Sequence, residues 1–162
     1  PLSAVAVKEE IAAKFVGTSE DAFPHGHTWW GHAVVCAVGL AIIRIIEREG
    51  LVENAARMGA YFLDGLHSIL DQSPLLGNIQ GLGLLLGIEL VQDKKTKEPL
   101  EEPSEVMERF RDKLLERGLI CHGRFGRIML WPPLIVTKAE IDEVLRILEE
   151  SIGELEKEGR VA

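Results

Sequence analysis

Apolar positions run without a break from Ala33 to Ile43, AVVCAVGLAII. A one-faced surface helix would place a polar residue at every third or fourth position there. This helix is therefore expected to be buried on nearly all sides, by a domain on one flank and a second subunit on the other. The run is far short of the roughly 18 residues that a bilayer span needs. The helix should begin between Thr28 and Gly31 and end at Gly50, after Arg48 and Glu49.

The rest of the chain alternates helical and two-residue periods. Leu51, Ala55, Met58, Phe62, Leu66 and Ile69 keep helical spacing, predicting a one-faced helix that Ser73-Pro74 closes. Leu84, Leu86, Ile88 and Leu90 alternate with Leu85, Gly87, Glu89 and Val91 inside a sheet segment over 78–92. That is the period of a strand with one strongly buried face. Val106, Phe110 and Leu114 mark a helix over 104–117, ended by Gly118. Short strands over 119–124 and 127–131 should meet as a hairpin around Phe125-Gly126, and Pro132-Pro133 ends the sheet. Thr137 and Glu140 form a capping box. It opens a final helix with the stripe Ile141, Val144, Leu145, Leu148, Ile152 and Leu155. Upstream, residues 3–7 read as a short buried strand, 8–15 as a short helix and 17–24 as a loop.

From Leu51 onward the order is helix, strands, helix, hairpin, helix. This predicts an α+β layer with helices on one face of a mainly antiparallel sheet. Two domains are expected, residues 1–49 with the long helix and 50–162 with the layer.

Composition narrows the function classes. A net charge of −8 argues against nucleic-acid binding, which wants a basic face. The opening PLSAVAVKEE has no basic segment of a secretory signal and no initiator Met. A piece of a longer protein is expected. Cys36 and Cys121 stand far apart with no CxxC. Cys36 reads as a small buried hydrophobe, and a reducing, cytoplasmic setting fits.

Candidate chemistry gathers in two places. Thr28 precedes the long helix, where it could cap the terminus or face an anion, since both use the same unpaired N–H groups. His25, His27 and His32 lie close together, but no adjacent acid or Cys completes a metal shell, so no metal site is expected. Gly81-x-Gly83-x-x-x-Gly87 runs into a strand instead of opening a helix, so it reads as close packing or a bulge and not as a nucleotide loop. Arg124 ends a strand before the Phe125-Gly126 turn, either as a solvated turn residue or as a ligand for an anion. Alternation puts His122 on its face. Lys8 and Lys14 lack the buried apolar setting that lowers a lysine's pKa for imine chemistry and read as surface charges.

Five segments in order resemble class III (omega-type) pyridoxal-phosphate aminotransferases. HGHTWWGHAVVCAVGLAII resembles the family's H-G-x-T-Y-S-G-H-P motif, with Trp29, Trp30 and Ala33 in place of Tyr, Ser and Pro. PLSAVAVKEEIA, GLLLGIELVQDKKTKEP, ERGLI and PPLIVTKAEID resemble the family's other motifs. The resemblance implies the C-terminal small domain of a fold-type I transferase, preceded by an interface helix from the large domain. It implies pyridoxal 5'-phosphate as cofactor, amine and keto acid substrates, and a homodimer. Thr28 would meet the cofactor phosphate of the neighbouring subunit, with His27 beside it. Arg124 would meet the substrate carboxylate; other members carry that Arg two residues earlier, where this chain departs with His122, which shares the face of Arg124 and could line the same pocket. The Schiff-base Lys would lie upstream of Pro1, so no catalytic residue is expected in this chain and the chain alone should be inactive. The alternative is a dimerisation or regulatory lobe that kept the fold and lost the chemistry.

Overall fold

The computed structural model describes residues 2–18, 20–101 and 103–158. The chain divides into two compact units, Pro1–Glu49 and Gly50–Ala162.

In the first unit, α1 (Glu9–Ala12) continues into a 3-10 turn at Ala13–Phe15, as the sequence predicts. Residues 3–7 do not form the expected strand and are exposed. A strand exists through its ladder, and among the described residues no neighbour supplies one. The long helix, α2 (Ala33–Arg48), starts later than expected. Gly31 takes a φ of +64°, which interrupts the right-handed path. His32 therefore becomes the N-cap, without a side-chain cap bond. Thr28 lies four residues ahead of that cap, so its reading as the capping residue does not hold. Within this chain α2 is largely uncovered, with Gly39 alone buried among its described residues; the expected cover from a second subunit lies outside a single chain. Val34, Val38 and Ile42 are 66%, 53% and 51% exposed. What this unit offers as cover is small. Leu2 packs so closely on Gly39 that a Cβ there would lie 2.4 Å from its Cδ2. Cys36 shares the uncovered surface and is exposed within this chain.

In the second unit, α3 (Leu51–Gln72) buries Gly59, Phe62, Leu66 and Ile69. Ser73 ends it in an extended conformation. Strands β1 (Leu76–Leu82) and β2 (Leu85–Asp93) pair antiparallel across a two-residue loop that starts at Gly83, φ +56°. Hairpins this tight take glycine where the chain turns left-handed. A short strand β3 (Glu98–Pro99) returns along β2. Two amines tie this connection down. Lys94 Nζ donates to the carbonyls of Leu70 and Ser73, the latter at 2.8 Å, and Lys97 Nζ donates to that of Gly77.

Ser104 caps α4 (Glu105–Glu116), its hydroxyl accepting from Met107 N at 3.2 Å. Strands β4 (His122–Arg124) and β5 (Arg127–Leu130) form the expected hairpin. Phe125 and Gly126 both take positive φ, +53° and +70°, the pattern of a type I′ turn. The capping box of Thr137 and Glu140 is present and opens α5 (Lys138–Lys157). The sheet order is β1-β2-β5-β4, with β3 on β2 and every pairing antiparallel.

The helices cover one face of this sheet. Leu86, Ile88, Leu90 and Ile128 point into a core shared with Phe62, Leu66, Phe110, Leu114 and Leu148. Each such side chain contributes about 1.5–3 kcal/mol by leaving water. Met107 and Ile147, outside the predicted stripes, are also buried there.

Candidate functional site

Thr28 sits in the turn that precedes α2 and is exposed. Trp30 N donates to His27 O at 3.0 Å across the turn, and His32 N donates to Trp29 O at 3.3 Å. The Thr28 hydroxyl makes no hydrogen bond among the described residues, so it is free to donate to an outside acceptor. Its neighbour His27 is also exposed. The rings of His25 and His27 lie 4.8 Å apart, centroid to centroid, edge to face. Among the described residues no three His, Cys, Asp or Glu side chains come together to hold a metal. No helix among them is long and apolar enough to cross a membrane.

In the second unit the sheet's other face is open, and the register arranges it in rows. Residues directly opposite each other on antiparallel strands share a face. The pairs Gln80–Gly87, Gly87–Met129 and Met129–His122 make one row. Asn78–Glu89, Glu89–Arg127 and Arg127–Arg124 make the next. His122 and Arg124 thus lie on one face, as alternation predicts. Gly123 between them points into the core, where a Cβ would come within 2.5 Å of Ile128 Cδ1.

A hollow of about 460 Å³ lies over Gly87, between the amides of Asn78 and Gln80 on one side and Arg127 and Met129 on the other. Arg127 is already engaged, its Nε and Nη2 donating to Glu89 Oε1 at 3.2 and 3.1 Å. Arg124 has no carboxylate partner among the described residues. Its guanidinium carbon stands 4.5 Å from the centre of the Phe125 ring, a contact that steadies the planar fork without using its N–H groups.

His122 and Arg124, which the sequence singles out, share the open face but do not line this hollow; Arg127, Asn78 and Gln80, which do, were missed. The signal that could have found them is the strand alternation, extended from β2 to its neighbours. Of the glycines at 81, 83 and 87, the first two lie at close backbone approaches, whereas a Cβ on Gly87 would meet only ordinary contacts, the nearest 3.5 Å away at Met129 Sδ. A Cβ on Gly81 would lie 2.2 Å from Leu85 O, and Gly83 O sits against Gly59 of α3.

Comparison with known proteins covers both units. Gamma aminobutyrate transaminase 1, mitochondrial, of Solanum lycopersicum is 34% identical over 159 residues, which is 97% of this chain and 31% of that protein. A Bacillus anthracis aminotransferase structure superposes with a TM-score of 0.82 at 36% identity, over 91% of this chain and 34% of the other. A PLP-bound amine transaminase from an uncultivated Pseudomonas species gives 0.83 at 31% identity, over 90% and 33%. The chain spans about a third of the length of these relatives. These structures are fold-type I transferases, and the helix-covered antiparallel layer is their α+β architecture. The family profile "Aminotransferase class-III" matches residues 1–152, and the chain belongs to that family.

Proposed function

We propose that the complete protein is a pyridoxal-phosphate aminotransferase that moves an amino group between an amine or ω-amino acid and a keto acid. The observation that carries this reading is the exposed, unengaged hydroxyl of Thr28 at the turn where the family motif places its phosphate-binding Thr. The cofactor, when bound, supplies the electron sink for the transfer. This chain's residues bind and orient. Thr28 donates to the phosphate of a neighbouring subunit, with His27 beside it. Arg124, steadied on Phe125, or His122 in the next row, grips the carboxylate of the keto acid. The exposed apolar face of α2 makes the contact between two copies, as one part of the homodimer interface.

Residues 1–49 would close the large cofactor-binding domain, and 50–162 would be the small domain. The lysine that holds the cofactor covalently lies outside this chain on this reading. Lys8 is exposed and pairs loosely with Glu10 at 3.9 Å, as a surface charge does. The chain alone would then be inactive. A cytoplasmic setting belongs to the same proposal; the tomato relative is mitochondrial, and fractionation decides between the two.

The test is Thr28→Val in the complete protein. It keeps the shape and removes one donor to a charged group, so cofactor affinity should fall about tenfold to a hundredfold. The melting midpoint of the cofactor-free protein should not move. Unchanged affinity would remove Thr28 from the phosphate site, and a complete protein that binds no cofactor at all would favour the competing reading, a dimerisation or regulatory lobe, which draws on the same exposed face of α2.

A further inference from the structure

Trp30 stands edge-on to two imidazoles. Its ring centroid lies 6.3 Å from that of His25 and 6.1 Å from that of His27, at interplanar angles of 76° and 71°. With the 4.8 Å contact between the two histidines, the three rings close a triangle. Phe23 extends it, 5.6 Å from His25 and 5.5 Å from Phe15. Gly26 lies under the indole, and a Cβ there would be 3.9 Å from Trp30 Cζ3. The ring contacts run across the chord of the segment from His25 to Trp30. Thr28 lies within that segment and is exposed.

A turn flanked by Gly26 and Gly31 has two residues of high backbone freedom. Fixing it on binding would cost conformational entropy, which a turn already fixed does not have to lose. Edge-to-face aromatic pairs have a preferred geometry and hold the backbone that carries them. A Ser at this position, the family residue in the motif that HGHTWWGH resembles, has no ring to place between the imidazoles.

We propose that Trp30 is a positioning residue for cofactor binding: by its edge contacts with His25 and His27 it holds the turn that presents Thr28 to the phosphate. This rests on the reading of Thr28 given above. The effect travels through Thr28, so it should concern the phosphate and leave the pyridine ring of the cofactor out.

The experiment compares Trp30→Ser, Trp30→Phe and Thr28→Val in the complete protein, freed of cofactor. Dissociation constants are measured for pyridoxal phosphate and for pyridoxal, which lacks the phosphate, together with the melting midpoint of each cofactor-free variant. Trp30→Ser should weaken pyridoxal phosphate about tenfold and leave pyridoxal and the midpoint at parent values. Trp30→Phe, which keeps a ring, should recover affinity to within about threefold. Equal losses for both ligands, or a midpoint that falls with the affinity, would overturn the proposal in favour of a general packing role. If Thr28→Val loses affinity and Trp30→Ser keeps it, the positioning role alone fails. If Thr28→Val keeps parent affinity, the reading of Thr28 fails and takes this proposal with it.

Discussion

Gly59 on α3 and Gly83 at the β1–β2 turn meet backbone against backbone: a Cβ on Gly59 would lie 2.2 Å from Gly83 O. The helix and the hairpin approach as closely as they do because Gly59 has no side chain at that point; Gly83 is required there by its φ of +56°. Gly59→Ala gains helix propensity but must push the hairpin off the helix. Overpacking of this kind costs about 1–3 kcal/mol, more than the propensity returns. Denaturant unfolding of the second unit should show that loss. A variant at least as stable as the parent would mean that the turn yields without resistance.

A second prediction concerns acid. Between α4 and α5, Lys113 Nζ lies 2.6 Å from a Glu158 oxygen and 3.4 Å from one of Glu154. Arg117 also pairs with Glu154, and Arg109 with Glu158. The Arg117 and then the Lys113 contacts hold the Glu154 carboxyl below its ordinary range; Lys113 and then Arg109 do the same for Glu158. A lowered folded pKa means stability that is complete above the unfolded carboxylate value, about 4.3, and is lost as pH falls through the folded value. Lys113 is raised, first by Glu158, so its share is complete below its unfolded value and is lost as pH rises through the folded one. Glu154→Gln with Glu158→Gln should therefore lower the melting midpoint at neutral pH and have little effect near pH 3. High salt should shrink the difference at neutral pH, because these groups are partly open to solvent.

Self-association tests α2. Val34, Val38 and Ile42 recur every four residues on its exposed side, an apolar strip of the sort that soluble monomers rarely leave uncovered. The complete protein should sediment as a dimer. Val38→Glu should shift it toward monomer at micromolar concentration, since a carboxylate buried without a partner is costly. A dimer indifferent to that change would place the interface elsewhere.

Arg124 and His122 can be separated by substrate. Arg124→Lys keeps the charge and loses the two-pronged fork that fits a carboxylate. In the complete protein it should raise KM for a keto acid and leave the half-reaction with a simple amine near its parent rate. Equal losses on both half-reactions would point to a structural role, such as its place over Phe125. If His122→Ala alone discriminates acid from amine, His122 is the carboxylate ligand.

Where the sequence could be read, the reason is periodicity imposed by one buried face. Leu84, Leu86, Ile88 and Leu90 had to alternate to reach the core, and all four do. The capping box at Thr137 and the Phe125-Gly126 turn were legible because each demands specific residues at fixed offsets. The first unit was less legible. Residues 3–7 have strand-like side chains, but a strand also needs a partner that composition does not reveal. The start of α2 hinged on the left-handed Gly31, a backbone property that an apolar pattern does not record. Cys36 is exposed within this chain, because the apolar stretch around it finds little cover among the chain's own described residues. On the open face of the sheet, alternation put His122 and Arg124 on the same side, as the register has them. Arg127 went unnoticed because its row exists only once β5 is set beside β2.

The amine of Lys94 joins the C-terminal carbonyls of α3 to the connection between β2 and β3. Lys97 adds a stitch to Gly77 at the start of β1. Exposed, polar and rich in lysine, that connection has the composition of a free flap, but it is built as a clasp. A push on its tip is passed to the end of a 22-residue helix and the base of a strand, both seated in the core. Molecules that collide with this part of the surface therefore meet a stiff edge.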